Sequence, residues 1–364
     1  MKRKMTKKIK IGDRFIGGAC PVLVQSMTNT PSNDFESTVR QILNLERIGC
    51  DIVRFTVPDM FAVRNIARFK ENTKVPLVAD IHFDYRLAVE AAHAGVDKIR
   101  INPGNIGSRE NVRAVAKACN EKGIPIRVGV NSGSVEAELL KKYGGPTPEA
   151  LCESALRNIE MLEACDFNQI VVSVKSSSVS AMIATNRLLS ERTDYPLHLG
   201  VTEAGTLNCG IVKSAIGIGS LLVDGIGDTI RVSLTSRNLS DEVTVARRIL
   251  ASCGLVENSI DVVSCPTCGR TKIDLVGIAN ELEQKIAELN LKPRRNLKVA
   301  VMGCVVNGPG EAKEADVGIA GGRSEAILFR KGVVIKKIPE DAVISVLLDE
   351  IIKLSEDADD ERSQ

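Results

Sequence analysis

Ile126-Arg127-Val128-Gly129-Val130-Asn131 alternates β-branched residues with an arginine, a glycine and an asparagine. With a side-chain period of two, Arg127 and Asn131 share one face of a strand and the aliphatic residues the other. The same alternation recurs in Ile52-Val53-Arg54-Phe55-Thr56, Ile99-Arg100-Ile101-Asn102 and Ile230-Arg231-Val232-Ser233. Outward from these, β-rich runs are expected at Val22–Met27, Ile52–Val57, Pro76–Ile81, Lys98–Asn102, Ile126–Val130, Ile170–Lys175, Leu197–Val201 and Thr229–Leu234. Amphipathic helical runs lie between them, among them Phe35–Ile48, Tyr85–Ala94, Glu110–Glu121 and Pro148–Ala164. Eight strand–helix units over roughly 230 residues match an α/β fold of the (β/α)8 TIM-barrel type. The alternative, a doubly wound open sheet, lacks a G-x-G-x-x-G fingerprint after the first strand. In a barrel the outward faces meet helices and are apolar, so the polar set points inward, near the C-terminal mouth.

That geometry gathers Arg54, Arg100, Arg127, Lys175 and Arg231, with Asp80 and Glu203 as the anions at equivalent strand ends. Two like charges about 6 Å apart repel by roughly 3 kcal/mol at an effective dielectric near 20. Several such pairs are costly against a net stability of about 5–15 kcal/mol. A polyanionic ligand accounts for the set, because arginine forks grip phosphate oxygens bidentately. A diphosphate is the expected chemistry. Asn102, Asn131, Thr202 and Ser233 are candidate neutral hydrogen-bonding groups, and Asp80 and Glu203 candidates to hold hydroxyls or move protons. His82 reads as a packed or capping side chain. Lys175, at the end of the sixth strand, supports a rival reading: a Schiff-base aldolase acting on a phosphorylated substrate.

Past Gly254 the helical pattern fades, and a second, smaller α/β domain is expected over 256–364, after a barrel domain over 1–255. Strands are expected at Ile260–Val263, Leu297–Met302 and Asp316–Ile319, then a hairpin Ile327–Phe329/Val333–Ile338. Helices are expected at about Lys272–Asn290 and Pro339–Leu354, and the acidic tail after them as disordered. This domain carries Cys265-Pro266-Thr267-Cys268 and, after a strand, Cys304-Val305-Val306-Asn307-Gly308-Pro309-Gly310-Glu311. Three thiolates without a fourth cysteine leave two metal readings open. One is structural zinc completed by a carboxylate; the other is an iron–sulfur cluster with a weak fourth ligand. Glu311 follows Asn307-Gly308-Pro309-Gly310, an expected rigid turn that could aim its carboxylate back at the metal site.

Composition closes other doors. Aromatics make up 3% with no Trp, and the net charge is only +2, which argues against nucleic acid as a partner. No apolar run approaches membrane-spanning length. The basic start, Met1-Lys2-Arg3-Lys4-Met5-Thr6-Lys7-Lys8, precedes no apolar core of a signal peptide. The remaining seven cysteines are scattered, as buried thiols in a reducing cytoplasm would be.

The chain resembles the bacterial 4-hydroxy-3-methylbut-2-en-1-yl diphosphate synthases, iron–sulfur enzymes of the non-mevalonate isoprenoid pathway. The resemblance runs through Val24-Gln25-Ser26-Met27-Thr28, Ala79-Asp80-Ile81-His82-Phe83, Arg100-Ile101-Asn102-Pro103-Gly104 and both cysteine segments. It implies a barrel that binds 2-C-methyl-D-erythritol 2,4-cyclodiphosphate and a C-terminal iron–sulfur domain with a [4Fe–4S] cluster. It implies Cys265, Cys268, Cys304 and an exchangeable Glu311 as cluster ligands. Arg54, Arg100, Arg127, Lys175, Arg231 and Ser233 are implied to hold the diphosphate, with Asp80, Asn102, Asn131 and Glu203 lining the pocket. Glu311 and Glu203 are the implied proton donors, ferredoxin or flavodoxin the implied electron donor. A head-to-tail homodimer is implied as well. Under this resemblance the zinc-stapled aldolase and a non-catalytic iron–sulfur electron carrier are the competing functions. A colourless protein with one zinc would contradict the synthase and the carrier, and the carrier predicts no binding of the cyclic diphosphate.

Overall fold

The computed structural model describes residues 2–289, 291–305 and 312–356. The chain divides into two compact units, Met1–Leu255 and Val256–Gln364.

The first unit opens with a hairpin, β1 (Ile9–Ile11) and β2 (Arg14–Ile16), that turns at Gly12 with φ +59°. Eight parallel strands follow: β3 (Leu23–Met27), β4 (Ile52–Thr56), β5 (Leu77–Asp80), β6 (Lys98–Ile101), β7 (Ile126–Asn131), β8 (Ile170–Lys175), β9 (His198–Leu199) and β10 (Thr229–Ile230). Their order is β8-β7-β6-β5-β4-β3-β10-β9, and a parallel bridge from Val172 to Leu197 joins the last strand back to the first. The barrel expected from the alternation is therefore present. The intervening helices are α1 (Phe35–Arg47), α2 (Met60–Asn72), α3 (Tyr85–His93), α4 (Pro103–Ile106), α5 (Arg109–Lys122), α6 (Ala137–Tyr143), α7 (Pro148–Glu163), α8 (Val179–Arg192), α9 (Leu207–Val223) and α10 (Ser240–Ser252). Side-chain caps set several of their starts: Asp34, Asp59, Asp84, Ser108 and Ser178 each accept a backbone N–H of the first turn.

The hairpin closes the N-terminal end of the barrel. Ile9, Ile11 and Ile16 form one buried cluster with Leu23, Ile52, Val78 and Val171, which all lie at the starts of their strands. At about 1.5–3 kcal/mol per buried aliphatic side chain, the three isoleucines alone make this plug a substantial part of the fold. The interior above it is therefore open only toward the C-terminal ends of the strands.

Two differences from expectation sit beside that opening. β9 and β10 are two residues each, shorter than the expected Leu197–Val201 and Thr229–Leu234. The Leu234 N–H is drawn off the ladder by the Glu242 carboxylate, 3.1 Å away, and Glu203 turns the chain with φ +53°. After β7 a 3-10 turn (Ser132–Ser134) and α6 precede α7, where a single helix was expected.

In the second unit β11 (Ile260–Ser264), β12 (Leu297–Met302) and β13 (Val317–Gly321) run parallel, and β14 (Glu325–Arg330) and β15 (Val333–Pro339) continue antiparallel. The helix α11 (Leu275–Glu288) starts three residues later than expected because Asp274 caps it, accepting from the Gly277 N–H at 3.1 Å. α12 (Val343–Glu356) follows a 3-10 turn. Both helices bury apolar stripes against one sheet face, with Leu282, Val301, Ile319, Leu347 and Ile351 fully enclosed. Among the described residues no helix is long and apolar enough to cross a membrane.

Candidate active site

Parity along the barrel strands determines which side chains meet at the mouth. Register places Arg54 beside Met27, Arg100 beside Asp80 and Arg127, and Asn131 beside Lys175. All of these except Met27, with His82, Ser173, Thr202, Arg231 and Ser233, line a cavity of about 150 Å³.

The cations are held but not neutralised. Asp80 sits 3.2 Å from Arg100 and 3.8 Å from Arg54. Burial raises its pKa, but the Arg54 and Arg100 guanidiniums outweigh burial and hold the carboxyl below its ordinary range. Arg54 also donates to the Met27 thioether, a weak acceptor, at 2.8 and 3.1 Å. Burial, eased only partly by Asp80, brings its pKa down to about 10. Arg127 is 1% exposed; its Nη1 donates to Ser173 Oγ at 2.6 Å, while Nε and Nη2 have no partner among the described residues. Lys175 makes no ion pair among the described residues, and burial followed by Arg54 and Arg127 drives its amine pKa well below 10.5. Among the described residues five cations face two carboxylates, Asp80 and Glu242, a net excess of three positive charges, with Arg127 and Lys175 making no ion pair.

Two inward glycines make room for this cage. A Cβ at Gly129 would stand 2.4 Å from Arg100 Nε, and one at Gly200 would stand 3.1 Å from Lys175 Nζ and 2.6 Å from the Arg231 carbonyl. Neither position accepts a side chain without displacing a cation or the backbone.

The expected residues do not all converge. Arg54, Asp80, Arg100, Arg127, Asn131, Lys175, Thr202, Arg231 and Ser233 line the cavity; Asn102 and Glu203 do not. Asn102 is buried as the cap of α4, accepting from the Gly104 N–H at 3.2 Å. Glu203 is exposed. Two contributors, Ser173 and Glu242, went unread in the sequence, and a third, His82, was assigned another role. Ser173 shares its face with Lys175, a signal that period-two counting carries. His82, set aside as a packing or capping residue, stands 3.6 Å from Asp80. Glu242, on the first turn of α10, is buried and accepts from Ser26 Oγ at 3.0 Å and from Arg231 at 3.2 Å. On sequence it is indistinguishable from an ordinary acidic first-turn residue.

In the second unit, Cys265 Sγ accepts the Gly303 N–H at 3.2 Å, which ties it to the residue preceding Cys304. The Cys268 N–H is held by Thr271 Oγ1 at 3.1 Å, and hydrogen bonds from Arg270 lower the exposed Cys268 thiol's pKa. Among the described residues no three His, Cys, Asp or Glu side chains are grouped as a metal site. Glu311 lies outside the described residues. The donor set nonetheless suits an iron–sulfur cluster: one thiol favours its thiolate, and another accepts a backbone N–H, as cluster-bound sulfurs do.

Residues 6–247 match the family model for the GcpE TIM-barrel domain, and residues 261–353 that for the GcpE protein C-terminal domain. The chain is 58% identical over 356 residues to the 4-hydroxy-3-methylbut-2-en-1-yl diphosphate synthase (flavodoxin) of Clostridium perfringens, covering 98% of this chain and 99% of that protein. It is 55% identical over 358 residues to the enzyme of the same name from Fusobacterium nucleatum, covering 98% and 99%. The crystal structure of dihydropteroate synthase from Stenotrophomonas maltophilia covers 67% of this chain and 97% of its own, with a TM-score of 0.50 at 14% identity; it shares the barrel fold alone. This chain belongs to the GcpE family, the family of the 4-hydroxy-3-methylbut-2-en-1-yl diphosphate synthases.

Proposed function

We propose that this enzyme opens 2-C-methyl-D-erythritol 2,4-cyclodiphosphate reductively to 4-hydroxy-3-methylbut-2-enyl diphosphate, in isoprenoid biosynthesis. The relatives' names supply the product, and the under-neutralised cage of Arg54, Arg100, Arg127, Lys175 and Arg231 carries the substrate class. Cys265, Cys268, Cys304 and Glu311 would hold a [4Fe–4S] cluster, which when bound supplies electrons singly and a Lewis-acidic iron.

The barrel's own residues bind and orient. Arg100 and Arg127 sit side by side in register, so their free N–H groups can serve adjoining phosphates. Ser173 fixes the plane of the Arg127 guanidinium, and Asp80 that of Arg100, before substrate arrives. Such preorganised donors stabilise the charge that appears on the phosphate oxygen when the ring C–O bond breaks. Asn131, Thr202 and Ser233 offer neutral hydrogen bonds to the remaining oxygens. Glu203, exposed, and Glu311 are the proposed proton donors to the departing hydroxyl. Asn102 acts behind the pocket, by capping α4. The proposed electron donor is flavodoxin, which the relatives' names print, or a ferredoxin, and the proposed setting is a cytoplasmic head-to-tail homodimer.

Calorimetry with the cyclic diphosphate and with the corresponding uncharged tetrol tests this reading. The diphosphate is expected to bind with micromolar or better affinity, and to lose affinity steeply with salt, while the tetrol gives no heat. Equal binding of the two would remove the phosphates from the account.

A further inference from the structure

Beneath the pocket the barrel holds a second polar layer that diphosphate binding does not explain. Period two along β6 puts Lys98 on the same inward face as Arg100, one step nearer the plugged end. Lys98 is completely buried and its Nζ has no hydrogen-bond partner among the described residues. Its register neighbour on β5 is Val78, a member of the apolar plug. In the same interior, both amide atoms of Gln25 on β3 lack partners among the described residues. His198 on β9 bonds Thr229 Oγ1 through Nδ1 at 2.8 Å and leaves Nε2 free.

The charged groups around Lys98 are of one sign. Arg54 on β4 and Arg127 on β7 face it as cations, and both oppose its protonation, after burial itself. His198, in the field of Lys98, Lys175 and Arg127 and fully buried, is held neutral. Asp80 on β5 is committed to Arg100 and Arg54. Asp97, the preceding residue, is committed to Lys70 Nζ at 2.6 Å and the Leu77 N–H at 2.7 Å. No carboxylate pairs with Lys98 among the described residues. An enclosed ammonium with guanidiniums above it and hydrocarbon below has no source of stabilisation. A bound diphosphate reverses that field, placing several negative charges over the same guanidiniums.

We propose that Lys98 is a proton-linked positioning residue: a neutral amine in the empty barrel that takes up one solvent proton when a diphosphate fills the pocket above it. The amine lone pair becomes the third N–H bond and no electron is transferred. The site thereby gains a positive charge only while ligand is present. Ring opening adds one negative charge to the diphosphate as a phosphate oxygen is freed, and the ammonium offsets it. This proposal rests on the diphosphate reading of the pocket.

Titration of the full-length protein with inorganic pyrophosphate near pH 8, in buffers of high and low ionisation heat, counts the protons taken up. Wild type is expected to take up about one proton more per ligand than Lys98→Met. Lysine-specific 13C/15N labelling of the wild-type chain gives a second reading that does not need the variant to fold well. Its slowly exchanging buried lysine should report an amine without pyrophosphate and an ammonium with it. Binding with equal proton uptake in both proteins, or an ammonium already present in the empty barrel, overturns the role of Lys98 and leaves the pocket reading standing. Absence of pyrophosphate binding to wild type overturns both.

Discussion

Arg127→Met lowers kcat/KM for the cyclic diphosphate by roughly 30- to 4,000-fold, while the ligand-free protein melts at a higher temperature than wild type. The loss follows from geometry. Arg127 lies at the centre of the cage, and its Nε and Nη2 carry N–H groups that no atom of the described residues satisfies. Truncating one member of a buried, hydrogen-bonded charge pair costs about 2–5 kcal/mol. The gain in stability has the same cause with the ligand removed. Burial first, then Arg54 and Arg100, pushes the Arg127 pKa well below its ordinary value, so holding its charge costs the empty fold. A structural arginine would show the reverse, a lower melting temperature with modest kinetic effects.

The same cause predicts how the wild-type fold responds to pH. Lys98, Lys175 and Arg127 all have folded-state pKa values below their unfolded ones. Between the lowered values and about 10.5, the unfolded lysines bind protons that the folded ones do not. Stability of the ligand-free barrel therefore rises with pH across that window. A fall in melting temperature between neutral pH and the lysine range would contradict the cage as described.

Cys268→Ser is expected to abolish turnover and the visible absorbance of the anaerobically purified protein, with iron and sulfide content falling together. Binding of the cyclic diphosphate should stay within about a factor of two, because the cations that hold it all belong to the barrel unit. The residue is exposed, and hydrogen bonds from Arg270 favour its thiolate, which is what a ligand to iron requires. Full iron content in the serine variant would remove Cys268 from the ligand set. Zinc without sulfide in the wild type would remove the cluster altogether.

How much of this was legible in the sequence follows from where each residue sits. The strands announced the barrel because a β-strand's period of two leaves Arg54, Arg100, Arg127 and Arg231 on one face and aliphatics on the other. Parity alone therefore found the cage. It could not find Glu242, whose partner Arg231 is reached from a helix rather than from a strand. Asn102 obeys the parity rule but spends its side-chain oxygen on the first turn of α4, a local bond that competes with any outward role. Glu203 follows a strand too short to aim it, since its own backbone has already entered the left-handed region. Lys98 drew no reading beyond its place at the start of an expected strand; only the closing hairpin, remote in sequence, makes that position a buried one.

The most direct test of the account is phosphorus NMR of the cyclic diphosphate incubated anaerobically with the cluster-loaded protein and reduced flavodoxin. The account predicts that the two ring phosphorus signals give way to those of a linear diphosphate, with two electrons consumed per molecule converted. A cyclic diphosphate left intact by fully loaded, reduced protein would contradict it.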